Sequence, residues 1–409
     1  MKKRISIVLI AAFLSIFTIN ANAAIKAGTT CKKLGLTSMF VGKKYTCVKS
    51  GKKLVWNKGV ETSKSLPSNS VTPAQTPSLS IDKFKEQAPA VPITFESLKQ
   101  NLSGIIHAAW LKGFMSINGK SFAIGNLHLL VGPNSTLNEQ DKNYLTSITN
   151  VQRLFSGIPQ SKNVYLIYYS SRDIAWAQNQ FEKYMDAYYG YGSRSSAAID
   201  NCPEPNCNGG MAVHTSNFDT IILMGDNNGW KWETYSPSQG YYGHVFAHEY
   251  THTIQLANMN PNWGNFPHWL TEGAAEWAAT TAVTYESYSN YTNYREKVVL
   301  GMQYGNSSTY NKDYLTKFLN PNLVFDQGEN IGSYNHGFPR WDSYSIGFMT
   351  CEILVALKDQ NILISLLQDI NKGMTFAEAF ESEFGTKWST AAPLIVDAID
   401  SEIRLNIKS

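Results

Sequence analysis

The chain has 409 residues, enough for two ordinary domains or one large one with accessories, and its 43% apolar and 12% aromatic content can fill a sizeable core. Its net charge of +3 is unevenly spread: residues 1–23 carry +3 and residues 24–60 hold nine lysines with no acid, which leaves −9 for residues 61–409. An acidic body behind a basic head argues against a nucleic-acid role for the body.

Residues 1–23 open with Lys2, Lys3 and Arg4, continue as an apolar stretch and end in Ala-x-Ala. This pattern predicts a secretory signal peptide cut after Ala23; an uncleaved anchor is the alternative, although the stretch is short for a span of about 20 residues. The mature chain is therefore expected to be secreted or held at the cell surface. Residues 24–60 read as a small β module, with the β-prone runs "VGKKYTCV" and "KKLVWNK" joined by the turn "KSGK". Cys31 and Cys47 are expected to staple it, and such a loop contributes on the order of 3 kcal/mol. The module resembles short Cys-pair, Lys-rich segments near the N-termini of some bacterial exported proteins. Its lysines suit an anionic cell-wall polymer or membrane surface, or serve as a solvated spacer. Residues 61–95, rich in Ser, Thr, Pro and Ala, read as a linker.

From residue 96 the chain is expected to be one globular domain. "NVYLIYYS" and "DTIILMG" read as strands, with "DIAWAQNQFEKYMDAYYG" as an amphipathic helix between them. Cys202 and Cys207 bracket "PEPN", a turn that favours a disulfide over metal binding, because no histidine accompanies them. Helices are expected over Tyr242–Asn258, Pro267–Thr284 and Tyr344–Lys358, the last burying Cys351 as a free thiol. Strands first and helices later predict an α+β fold.

Within the first of these helices lies "HEYTH". Residues four apart on a helix share one face, so His248 and His252 can aim at one point, as a zinc ion needs. Glu249 sits about 100° round from His248, which places its carboxylate beside the ion's open position, where water would bind, rather than on the ion. Downstream, "PHWLTEGAAEW" supplies Glu272 as a third ligand on a helix opened by Pro267. Gly273 costs helix stability and is expected to let two helix backbones approach closely. Glu276, one turn beyond Glu272, can bond the far nitrogen of a liganding histidine. His244 is read as helix-start polarity, a substrate contact or a ligand, and His268 as an alternative to Glu272. An inactive or structural polar cluster is the remaining reading of these residues.

"HEYTH" followed by "WLTEGAAEW" resembles the gluzincins, the thermolysin-like and M1-aminopeptidase-like metallopeptidases, and within them the peptidase MA-like group of bacterial proteins. The resemblance implies a zincin-like fold, one Zn2+ on His248, His252 and Glu272, and Glu249 as general base. It also implies an oxyanion-stabilising Tyr or His downstream, for which Tyr334, His336 and Tyr344 qualify. Tyr344, heading "YSIG", fits the family's Tyr-x-x-Gly segment best. Gln255 and Asn258 depart from the metzincin pattern, and no "GAMEN"-type exopeptidase signature is present. By analogy with family members that bind substrate along an edge strand, "TSNFDTIILMG" is a candidate edge. The expected activity is zinc-dependent peptide hydrolysis. The alternatives are an inactive zincin-like surface-binding protein attached through the basic module, and hydrolysis of a non-peptide cell-wall amide. Substrate identity, propeptide processing and oligomeric state have no signature in the sequence.

Overall fold

The computed structural model describes residues 27–40, 43–58, 60–61, 92–120, 126–137, 144–185, 195–202, 207, 209–215, 219–225, 243–259, 266–300, 310–322, 334–335, 337–339 and 341–406. The expected leader and nearly all of the expected linker lie outside these residues. The chain divides into two compact units, Met1–Thr72 and Pro73–Ser409.

In the first unit, β1 (Thr37–Phe40), β2 (Lys43–Ser50), β3 (Lys53–Trp56) and β4 (Val60–Glu61) pair antiparallel around β2. Gly51, at φ 61°, supplies the left-handed residue of the β2–β3 turn. Cys47 lies opposite Trp56 in the ladder, and both are buried. So small a core needs a staple, and the Cys31–Cys47 disulfide provides it, with Cα atoms 5.9 Å apart.

The second unit begins no later than the last residues of the expected linker. Ile93 packs on the main core, and the Phe95 ring meets Phe380 and Phe384 with centroids 6.0 and 5.7 Å apart. A helix that the sequence patterns did not reveal, α1 (Leu102–Ile117), precedes the sheet. Next come β5 (Asn126–Val131), α2 (Tyr144–Leu154), β6 (Asn163–Tyr169), α3 (Ile174–Tyr184), α4 (Ala197–Asn201), β7 (Gly210–His214) and β8 (Thr220–Gly225). The sheet order is β5-β6-β8-β7, with β5, β6 and β8 parallel and β7 antiparallel at one edge. Mixed α and β structure is thus present: helices intervene between the strands of this sheet, and a mainly helical remainder follows it, which is compatible with the expected α+β class.

Side chains alternate across this sheet. Leu166, Tyr168, Ile222 and Met224 face the main core, whereas Ile167, Tyr169, Ile221 and Leu223 face a second cluster with Ala177, Phe181 and the disulfide-bonded Cys202 and Cys207. Apolar cover on both faces explains why β6 and β8 read as continuous apolar runs.

The remainder is mainly helical: α5 (His244–Asn258), α6 (His268–Thr284), α7 (Tyr288–Leu300), α8 (Lys312–Phe318), α9 (Asp342–Leu357), α10 (Ile362–Asn371), α11 (Phe376–Phe384) and α12 (Trp388–Asn406). A two-residue pair, β9 (Tyr334–Asn335) with β10 (Phe338–Pro339), precedes α9. Pro267 stands as the extended residue just before α6, consistent with its fixed φ and missing donor. Phe246, Ala247, Tyr250 and Ile254 anchor α5 in the main core, and Trp269, Leu270, Ala274 and Trp277 do the same for α6. Cys351 of α9 is a buried free thiol. Among the described residues no helix is long and apolar enough to cross a membrane.

Candidate metal centre

Two neighbouring helices build the site. His248 and His252 lie one turn apart on α5, and their Nε2 atoms approach to 3.1 Å. From α6, Glu272 Oε2 reaches His248 Nε2 at 3.2 Å and His252 Nε2 at 3.5 Å. The three atoms form a nearly equilateral triangle. A tetrahedral ion with bonds of about 2.0–2.1 Å spaces its ligand atoms by about 3.3 Å, so the triangle has the right size for one. Among the described residues, His248, His252 and Glu272 form a group that could hold a metal ion. Glu272 Oε2 is buried yet lies in no hydrogen bond, although it faces both imidazoles.

Outer partners orient both rings. His248 Nδ1 lies 2.9 Å from Glu276 Oε2, so it donates its proton there and leaves the Nε2 lone pair facing Glu272. His252 Nδ1 lies 2.7 Å from Gln255 Oε1, and Gln255 Nε2 donates to the Thr271 carbonyl at 2.8 Å. Gln255 was legible in sequence only as a departure from another pattern; its signal was the three-residue spacing from His252. Two lone pairs and a carboxylate converging on one point repel unless a positive charge joins them.

A proton is one such charge. Burial works against a charged His248, but Glu272 and Glu276 outweigh it and lift the imidazole to about 10. His252 is raised too, with burial opposing and Glu272 prevailing. The carboxylates answer in the opposite direction. Glu272 falls well below its ordinary value against the burial penalty, chiefly through His252, and Glu276 falls to about 2, chiefly through His244.

Glu249 is buried against the edge strand rather than in the triangle. A Cβ added to Gly210 of β7 would stand 2.2 Å from Glu249 Cγ and 2.8 Å from Oε1. Only glycine lets the carboxylate lie this close to the strand. The edge beside the site is therefore β7, whereas "TSNFDTIILMG" contributes β8, which is interior because β6 and β7 flank it. That expectation failed because β7, the short "GMAVH", follows a cysteine-bounded turn and is too brief to show alternation.

Tyr344 stacks on the ring of His248. Its ring is 5.4 Å from that of His248, with 10° between the planes. A glycine pair explains how α9 comes so near. A Cβ on Gly273 would stand 2.2 Å from the Gly347 carbonyl carbon, and one on Gly347 would stand 2.4 Å from the Trp269 carbonyl oxygen. The close approach expected at Gly273 thus joins α6 to α9, one turn beyond Tyr344. The Tyr334 backbone lies in β9, its side chain is outside the described residues, and so is His336.

His244 and His268 flank the triangle. His244 Nε2 meets Glu276 Oε1 at 3.3 Å, so Glu276 bridges His244 and His248. His268 Nε2 lies 3.5 Å from Glu272 Oε1, the oxygen turned away from the triangle, while its Nδ1 meets Ser343 Oγ at 2.9 Å. His268 accompanies Glu272 and does not replace it. Compared with protein-family models, curated proteins and solved structures, the chain matches none.

Proposed function

We propose that the chain is a zinc-dependent peptidase in which His248, His252 and Glu272 hold one Zn2+ and Glu249 acts as general base. The observation that carries this reading is the triangle of two Nε2 atoms and one carboxylate oxygen with edges of 3.1, 3.2 and 3.5 Å. Three protein ligands are what a catalytic zinc takes, whereas a structural zinc takes four. Bound there, zinc supplies a Lewis acid and lowers the pKa of a water to about 7.

The protein's own groups do the rest. Glu249, against Gly210 and next in sequence to a ligand, accepts the proton of the attacking water and passes it to the leaving amine. Glu276 and Gln255 keep both imidazoles in the tautomer that presents Nε2. Tyr344, packed on His248, offers its hydroxyl to the developing oxyanion. Among the described residues no strand pairs with the outer side of β7, and this edge gives an extended peptide a ladder to pair with. Two disulfides support action in an oxidising compartment outside the cytoplasm.

The test is peptide-library cleavage by the zinc-loaded chain and its Glu249→Gln variant. Removing a general base lowers turnover by about 10²–10⁴-fold, with zinc content unchanged. Unaltered cleavage by Glu249→Gln, or none by the zinc-loaded parent across a broad library, contradicts the proposal.

A further inference from the structure

The N-terminal unit holds a concentration of one charge sign that the peptidase reading does not use. Residues 24–60 contain nine lysines and no acid, so no lysine has a carboxylate in its own strand or turn. Lys32, Lys33, Lys49, Lys52, Lys53 and Lys58 are all exposed.

Backbone register gathers five of the six at one end. Lys49, Lys52 and Lys53 surround the turn between β2 and β3. The segment after Cys31 is tied on one side by the Cys31 N–H to the Leu54 carbonyl at 3.0 Å. On the other side, the Gly35 N–H donates to the Cys47 carbonyl at 2.9 Å. Lys32 and Lys33 therefore cross beside the same turn. Within this crossing, Leu34 is 60% exposed and Leu36 44%, and Leu34 is the most exposed large apolar side chain among the described residues.

Lysines alone would suit any polyanion. Leucines held in water among them are unfavourable unless an apolar phase receives them, and a bilayer interface takes both: phosphates meet the amines and the acyl boundary meets Leu34 and Leu36. We propose that this end of the N-terminal unit docks on the surface of an anionic lipid bilayer. The docking is independent of the metal centre and holds whether or not the chain is a peptidase.

The experiment is vesicle co-sedimentation of the chain from Ala24 onward, which keeps every described residue and removes the apolar leader. The probes are phosphatidylglycerol-containing and pure phosphatidylcholine vesicles. Binding is expected on the anionic vesicles only, and is lost at about 1 M salt, where the Debye length is about 3 Å. Reversing four exposed charges (K32E, K33E, K52E, K53E) should lower the partition coefficient by at least about two orders of magnitude. Leu34→Ser with Leu36→Ser should lower it several-fold at unchanged charge. Reduction state of Cys31 and Cys47 and the circular dichroism of each variant confirm folding. Equal binding to both vesicle types, or anionic binding untouched by charge reversal, overturns the proposal. So does anionic binding untouched by the leucine changes, which would instead assign the lysines to a soluble polyanion.

Discussion

On one side of α6, Trp277 Nε1 donates to Tyr291 Oη at 3.1 Å, Tyr291 donates to Glu352, and Arg295 binds Glu352 through Nε and Nη2 at 2.6–2.9 Å. Arg295 also reaches Glu402. On the other side, Glu276, the residue before Trp277, bridges His244 and His248, and Glu272 faces His248 and His252. Both networks bury carboxylates. In the first, the positive charge belongs permanently to a guanidinium, whose hold on its proton Glu352 and Glu402 strengthen against the penalty of burial. In the second, the partners of Glu272 and Glu276 are imidazoles, which can exchange a proton for another cation. The first network is a fixture of the fold, and the second holds charge that can be exchanged.

Breaking the fixed network should cost most in stability. Arg295→Met leaves Glu352 buried without its counter-charge, and such losses run to about 3–5 kcal/mol. Urea unfolding should show this drop, with zinc affinity of the folded protein unchanged. A stability change under 1 kcal/mol would remove the contrast between the networks.

Disturbing the exchangeable network should act on metal before stability. His244→Phe removes the donor to Glu276 Oε1 but keeps a ring against Tyr294, whose centroid lies 5.1 Å away. Outer partners of metal ligands are worth about 10–100-fold in affinity. A loss near the lower end is expected in chelator competition, and His244→Gln, which can return an N–H to Glu276, should recover most of it. Equal affinities in all three proteins would make His244 a packing residue only.

The smallest effect is on pH dependence. His248 in the metal-free chain is lifted from 6.5 to about 10. A raised folded value means that its stabilisation is fully present below pH 6.5 and fades as pH climbs through about 10. Metal must displace that proton, so affinity should strengthen with rising pH. Melting with zinc and with chelator should therefore diverge more at about pH 8 than at about pH 6. A divergence independent of pH would mean that the ion does not compete for His248.

The exchangeable network was largely legible in the sequence, and the fixed one was not. Helical spacing is a local rule, so His248, His252 and Glu249 could be placed on one helix, and Glu272 and Glu276 on the next. Three contributions were invisible because they are made between distant segments. Gly210 admits Glu249 from a strand too short to announce itself, and Gly347 meets Gly273 across two helices. Arg295 finds Glu352 and Glu402 on helices far along the chain. The helix α1 escaped notice for a different reason: its buried residues include Ile105, His107, Ala109, Trp110, Gly113 and Phe114, so apolar and small side chains surround the axis and no clear stripe marks a period.

Convergence of His248, His252 and Glu272 from α5 and α6 on a single ion is tested by competitive zinc titration of the dialysed chain beside its Glu272→Ala variant. Saturation is expected at about one zinc per chain, with a loss in the variant exceeding the about 10–100-fold of an outer partner. A parent that takes up no zinc in a saturable manner, or a variant that binds it as tightly as the parent, would contradict it.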